Sequence, residues 1–155
     1  MSFHIQGLDP SHFSHLNGLS DDDLLRLGAK RFIVDRTPGF PDRIELRDLD
    51  VGEKAILLSY EHQPANTAYR SRHAIFVLEG AEKAFDVINA VPAVLRTRVI
   101  SLRAFSAGGE MLHADLADGQ EIEPLIERFL ADPKVEYLHA HYAKRGCYAA
   151  CITRA

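Results

Sequence analysis

The sequence predicts an α+β fold: a largely antiparallel sheet of about seven or eight short strands, with one long and one short helix. Short apolar segments alternate with turn residues along most of the chain. One amphipathic segment near residues 118–131 suits a helix that covers the sheet, and a Ser-Asp-Asp-Asp sequence at residues 20–23 begins a shorter one. A chain of 155 residues, 46% hydrophobic, is expected to form a single domain over residues 1–155.

Both helices carry sequence signals at their ends. Ser20 is a suitable N-cap for the short helix, Asp23 lies at its third position, and Gly28 ends it. The long helix is predicted from five apolar residues at helical spacing, Ile122, Leu125, Ile126, Phe129 and Leu130. Pro124 is acceptable only near the first turn of this helix.

Eight segments are predicted as strands. They are residues 31–35, 43–48, 54–60, 73–78, 98–105, 110–116, 135–142 and 147–152. Gly108 and Gly109 are expected to form the turn of a hairpin. Residues 61–72 form a long polar loop, and loops of that kind are often functional.

The charge distribution excludes some partners and suggests others. A net charge of −4 argues against nonspecific nucleic-acid binding. Residues 70–103 nevertheless carry six basic and three acidic side chains, which makes this section a positive island. No apolar run approaches the roughly 18 residues that cross a membrane, and the first residues lack a signal-peptide pattern. With only two cysteines, we expect a cytoplasmic protein that does not associate with membranes.

The first candidate site is a pocket for a small anionic or polar ligand, where two predicted strands meet the polar loop. Its candidate ligand-binding residues are Tyr60, His62, Arg72, His73 and Arg103. Arginine and histidine donors gathered in this way would bind a carboxylate or phosphate. The alternative is a solvated loop whose arginines pair with Glu61 and Glu79.

The second candidate is a metal-dependent enzyme with a divalent metal as its cofactor. His139 and His141 are two residues apart on a predicted strand, so both imidazoles point to the same face. His113 and Asp115 repeat this spacing on another strand. Histidines combined with a carboxylate serve iron and zinc. The alternative is that these side chains lie at a wet strand end and form hydrogen bonds.

Two further hypotheses remain open. Cys147 is a candidate nucleophile with His139 or His141 as its base, and the neighbouring Lys144 and Arg145 favour the thiolate form. The same thiol could equally be a packing residue. The chain could also be a non-catalytic module that forms a homodimer through an exposed strand edge.

Several stretches resemble a bacterial family of unknown function, number twelve hundred and three in its series. They are residues 60–64 (Tyr-Glu-His-Gln-Pro), 71–76 (Ser-Arg-His-Ala-Ile-Phe), 101–105 (Ser-Leu-Arg-Ala-Phe) and 146–149 (Gly-Cys-Tyr-Ala). The resemblance begins at Gly7 and implies no particular activity. Relative to the pattern of that family, Asp42 stands in place of a cysteine and Tyr142 in place of an asparagine.

Overall fold

The computed structural model describes residues 1–155 and confirms an α+β fold, with nine strands in two antiparallel sheets. The strands are β1 (Phe3–Gln6), β2 (Lys30–Ile33), β3 (Lys54–Gln63), β4 (Ser71–Leu78), β5 (Asp86–Ile88), β6 (Val99–Phe105), β7 (Met111–Asp118), β8 (Tyr137–Tyr142) and β9 (Tyr148–Arg154). One sheet has six strands in the order β5-β1-β9-β8-β6-β7, and the other has three in the order β2-β3-β4. The chain therefore forms two sheets where the sequence predicted one.

The helices are α1 (Asp21–Arg26), α2 (Ala93–Arg96) and α3 (Glu123–Leu130). Ser20 caps α1 as predicted, because its hydroxyl accepts a hydrogen bond from the Asp23 N–H (3.1 Å). The long helix is shorter than predicted, since residues 119–121 form a 3₁₀ turn and α3 begins one residue before Pro124. No helix of the structure is both long enough and apolar enough to cross a membrane.

The predicted hairpin is confirmed as β6 and β7, but the predicted strand over residues 43–48 is wrong. In this segment Leu46 adopts a positive φ of 52°, which a strand does not contain. The buried Asp42 carboxylate accepts hydrogen bonds from the N–H groups of Glu45 and Leu78 (2.7 Å to Leu78). The segment is therefore a compact loop around Asp42. Strands β1 and β5, which the sequence did not predict, complete one edge of the large sheet.

The two faces of the six-stranded sheet have different chemistry. Leu102, Ala104, Leu138 and Ala140 lie in the main apolar core together with the buried residues of α3. Side chains alternate along a strand, so Ser101, Arg103, His139 and His141 face the other way. That second face packs against the three-stranded sheet, where Gln63 Nε2 donates to Tyr137 Oη at 2.8 Å. The polar residues of β6 and β8 therefore lie between the two sheets.

Candidate metal centre

Three histidines meet in the space between the two sheets. His62 comes from the end of β3, while His139 and His141 come from β8. One ring nitrogen of each lies within 4.8 Å of a ring nitrogen of each of the other two. The ring centroids are 4.9 Å apart for His62 and His141 and 6.1 Å apart for His62 and His139. We call these three residues the histidine cluster.

Local strand geometry explains how each side chain arrives there. His139 and His141 are alternate residues of β8, and they pair in register with Arg103 and Ser101 of β6. His62 depends on an irregularity, because the register of β3 and β4 shifts between Tyr60 and Gln63. A bulge of this kind interrupts the alternation of a strand, and here both His62 and Gln63 are buried.

Hydrogen bonds fix the orientation of two of the imidazoles. His141 Nδ1 lies 2.9 Å from the Gly146 carbonyl oxygen, which can only accept, so Nδ1 carries the proton. In neutral His141 the lone pair is therefore on Nε2. His62 Nε2 hydrogen-bonds to the Ser71 hydroxyl at 2.9 Å. Metal-ligating histidines are typically held by a hydrogen bond from the other ring nitrogen in this way.

Each histidine of the cluster has one buried ring nitrogen without a hydrogen-bond partner. These atoms are His62 Nδ1, His139 Nδ1 and His141 Nε2. A buried polar group without a partner costs about 1–3 kcal/mol, and native proteins contain few of them. Three on neighbouring imidazoles are unfavourable by themselves, and a bound ion is one means of satisfying them.

Burial keeps the histidine cluster neutral. Desolvation is the largest cause that lowers the pKa of His62 to about 4 and the pKa values of His139 and His141 to about 3. The positive charge of Arg103 lowers all three pKa values further. Because a metal binds the neutral imidazole, all three side chains are in the ligating form near neutral pH.

Aromatic rings and one arginine surround the cluster. The Tyr148 ring stacks on His62 with 5.4 Å between ring centroids, and the ring centroids of Phe105 and His139 are 5.0 Å apart. No Asp, Glu or Cys belongs to the cluster. Cys151 pairs in register with His139, but burial raises the pKa of its thiol to about 11. The three imidazoles are therefore the whole ligand set that the fold assembles there.

A family model described as "Protein of unknown function (DUF1203)" matches residues 39–154. The chain belongs to this family. The matched range contains the whole histidine cluster and Arg103. Neither the curated proteins nor the solved structures include a significant match to the chain.

The four residues predicted as metal ligands do not come together in this DUF1203 chain. His113 and Asp115 pair in register with Ala104 and Leu102, so they lie on the face opposite His139 and His141. His113 Nε2 hydrogen-bonds to Asp132 and Asp115 accepts from Arg128, both at 2.8 Å. The third member of the histidine cluster is His62 instead. The sequence predicted His62 in the anion pocket and not with the β8 histidines, because the bulge that turns it inward has no clear sequence signal.

The five predicted ligand-binding residues do not line one common pocket. His62 belongs to the histidine cluster, Arg103 lies near enough for its charge to lower the pKa of His62, and Tyr60 packs against Tyr148 with 6.1 Å between ring centroids. Arg72 is exposed, donates to Ser59 Oγ at 3.2 Å and lies 3.8 Å from Glu61. His73 Nδ1 lies 3.2 Å from the Ala74 carbonyl oxygen. Tyr60 and Arg72 line a separate surface cavity of about 410 Å³.

The predicted thiol pair is also not assembled, since Cys147 forms no hydrogen bond with His139 or His141. Its Sγ instead accepts from Arg43 Nη2 at 3.2 Å. Arg43 is 2% exposed, donates to the Tyr148 carbonyl oxygen at 2.8 Å and stacks over Tyr142. Cys147 is therefore part of the packing around a buried guanidinium.

Proposed function

We propose that this DUF1203 protein is a metal-dependent enzyme in which His62, His139 and His141 bind one divalent transition-metal ion. The observation that carries the proposal is the buried, unpartnered ring nitrogen on each of the three adjacent imidazoles. Metal coordination would give every one of these nitrogens a partner. Hydrogen bonds to Ser71 and Gly146 support this role, because they orient two of the rings.

The donor set favours a particular class of metal and of site. Imidazole suits zinc, iron, copper and nickel, whereas magnesium and calcium require oxygen ligands. Structural zinc sites use four protein ligands, while catalytic sites use three and keep a position for water or substrate. A metal held there would supply a Lewis acid or an activated water. The three-histidine set therefore favours catalysis over a purely structural role.

The arrangement needs only a small adjustment to bind an ion. In a tetrahedral zinc site with Zn–N bonds near 2.0–2.1 Å, the ligating nitrogens are about 3.4 Å apart. The ring nitrogens of the cluster lie within 4.8 Å of one another, so binding requires the imidazoles to approach by about 1.5 Å at most. The rings of Tyr148 and Phe105 pack against His62 and His139 and limit other movements. The free thiols of Cys147 and Cys151 suit a reducing compartment such as the cytoplasm.

Metal analysis of protein purified without a histidine tag tests the proposal. We expect one zinc, iron or comparable ion per chain, or one equivalent of Co²⁺ bound by the chelator-treated protein, with the visible spectrum of nitrogen ligation. His139→Ala should lower the Co²⁺ affinity by at least about 100-fold. His4→Ala is the matched control, because His4 hydrogen-bonds to Asp86 on the opposite edge of the sheet and should leave the affinity unchanged.

Circular dichroism of each variant would establish that it is folded, and His139→Gln serves if the alanine variant is not. Wild-type protein that binds no transition metal would overturn the proposal. Equal metal affinity in folded His139→Ala, His139→Gln and wild type would also overturn it.

A further inference from the structure

We infer that the substrate of this centre is an organic oxyanion with an apolar tail. Its charged group is held by Arg103, and its tail lies on an exposed apolar ledge formed by Val99, Ala114 and Leu116. The inference rests on the proposed metal centre and adds the class of molecule that it acts on.

Arg103 is distinguished from the other arginines by its lack of a negative partner. Of the 13 arginines, all except Arg103 and Arg145 contact a carboxylate or a backbone carbonyl. Arg145 is exposed in a turn, whereas Arg103 is half-buried between the sheets. Its one side-chain hydrogen bond joins Nε to Ser101 Oγ at 3.3 Å. The guanidinium therefore retains most of its donors for a ligand.

The charges around Arg103 also favour an anion. Its register partner on β8 is His139, a member of the histidine cluster. No carboxylate belongs to the histidine cluster. A divalent ion bound there would add two positive charges beside the guanidinium. An oxyanion is the ligand that neutralises both, and arginine binds carboxylate or phosphate through two parallel hydrogen bonds.

The apolar ledge begins next to Arg103 on the same face of the sheet. Arg103 pairs in register with Ala114 of β7, and Ser101 pairs with Leu116. Val99 and Leu116 are 52% and 63% exposed, and Ala114 is exposed as well. Neighbouring strands are about 4.8 Å apart, so the distance from the β8 histidines to the ledge is about 10 Å. A ligand of that length reaches both regions.

Arg103 and the apolar ledge are adjacent, and this determines the kind of ligand that we assign to them. A ligand with its oxyanion at Arg103 and its carbon chain toward β7 would neutralise the unpaired guanidinium and cover Leu116 at the same time. An inorganic anion would leave the ledge exposed. A second copy of the chain could also cover the ledge, and the size of the protein in solution distinguishes that case. The combined charge and apolar surface therefore point to an amphipathic small molecule.

The inference can be tested by titrating Co²⁺-loaded protein with anions and following the visible spectrum. The affinity for acetate is compared with that for hexanoate, and the affinity for methyl phosphate with that for hexyl phosphate. We expect the six-carbon member of at least one pair to bind more tightly. The gain should be at least about twofold per methylene, because full burial would give about fourfold and contact on one side gives less. The carboxylate and phosphate arms distinguish the two oxyanions.

Two variants separate the parts of this inference. Arg103→Gln should weaken all four anions at least about tenfold while leaving the Co²⁺ stoichiometry at one, and Arg145→Gln is its matched control. Leu116→Asn should reduce the advantage of the six-carbon ligands and leave acetate binding unchanged. Co²⁺-loaded protein that binds neither hexanoate nor hexyl phosphate, or binds them no more tightly than acetate and methyl phosphate, would overturn the inference alone. Protein that binds no Co²⁺ would overturn the proposed function and this inference together.

The size of the protein in solution provides a further test. We expect light scattering to give the same mass for wild type and for Leu116→Asn. A wild-type dimer that Leu116→Asn converts to monomers would assign the ledge to a second copy of the chain, and so would overturn the inference.

Discussion

His139 and His141 on β8 and His113 and Asp115 on β7 share the same spacing along neighbouring parts of one sheet, but they differ in their partners. The β8 pair is buried, and each imidazole has a buried ring nitrogen without a hydrogen bond. The β7 pair is exposed, and each side chain has a charged partner, Asp132 or Arg128. The two pairs also lie on opposite faces of the sheet.

The difference shows that position in the sheet decides what a pair of polar residues can do. Strand β8 lies in the interior of the six-stranded sheet, where the three-stranded sheet covers its polar face. Strand β7 lies at the edge, where water and charged neighbours satisfy polar groups. Only the pair on the interior strand is buried and still has ring nitrogens without hydrogen-bond partners. These nitrogens keep lone pairs that an ion can bind.

The largest expected consequence of this comparison is a steep loss of stability in acid. The unfolded chain protonates its histidines near pH 6.5, whereas the folded pKa values are about 4 for His62 and about 3 for His139 and His141. Between these values the unfolded state binds more protons, so stability decreases as the pH falls. In metal-free protein the cluster should contribute a loss of up to about 4 kcal/mol per pH unit near pH 5. Urea unfolding at pH 6 and pH 5 in a chelator measures it.

His139→Leu sharpens this prediction because it removes one of the three groups that stay neutral in the folded state. The slope of unfolding free energy against pH should decrease by about one third, or roughly 1.4 kcal/mol per pH unit. A slope equal to that of wild type would show that His139 becomes charged in the folded protein, contrary to the distinction between the two pairs.

A smaller effect is expected from Ser71, which hydrogen-bonds to His62 through Nε2 and leaves its Nδ1 free for the proposed ion. Ser71→Ala removes the hydrogen bond to His62 Nε2 and should lower Co²⁺ affinity about 10- to 100-fold. Ser59→Ala is the control in the same sheet, because the Ser59 hydroxyl contacts the exposed Arg72. Competition with a chelator of known affinity provides the measurement. Equal losses in the two variants would indicate a general effect of the substitution on the sheet.

Local signals in the sequence were sufficient for several elements of the fold. Ser20 marked the start of α1, and the two glycines at residues 108–109 marked the β6–β7 hairpin. The alternation of His139 and His141 correctly placed both imidazoles on one face of a strand. In each case the signal and the structure lie within a few residues of each other, so periodicity and capping rules were enough.

Prediction of the complete histidine cluster required information that local sequence patterns do not contain. His62 joins the histidines of β8 only because two separate sheets pack face to face and because β3 is irregular near its end. The segment around Asp42 alternates like a strand, but its carboxylate binds the N–H group of Leu78, 36 residues away along the chain. The conformations of both segments therefore depend on contacts with residues far away in the chain. The spacing of residues within each segment does not indicate these contacts.

The smallest expected effect comes from the β7 pair itself. The double variant His113→Ala and Asp115→Asn removes one surface hydrogen bond to Asp132 and one surface ion pair to Arg128, and such exposed contacts contribute little in water. Its Co²⁺ affinity should stay within about twofold of wild type, because both side chains lie on the face away from the cluster. Chelator competition against the folded double variant measures this. A loss as large as that of His139→Ala would mean that the exposed pair reaches the ion, and the distinction between interior and edge strands would fail.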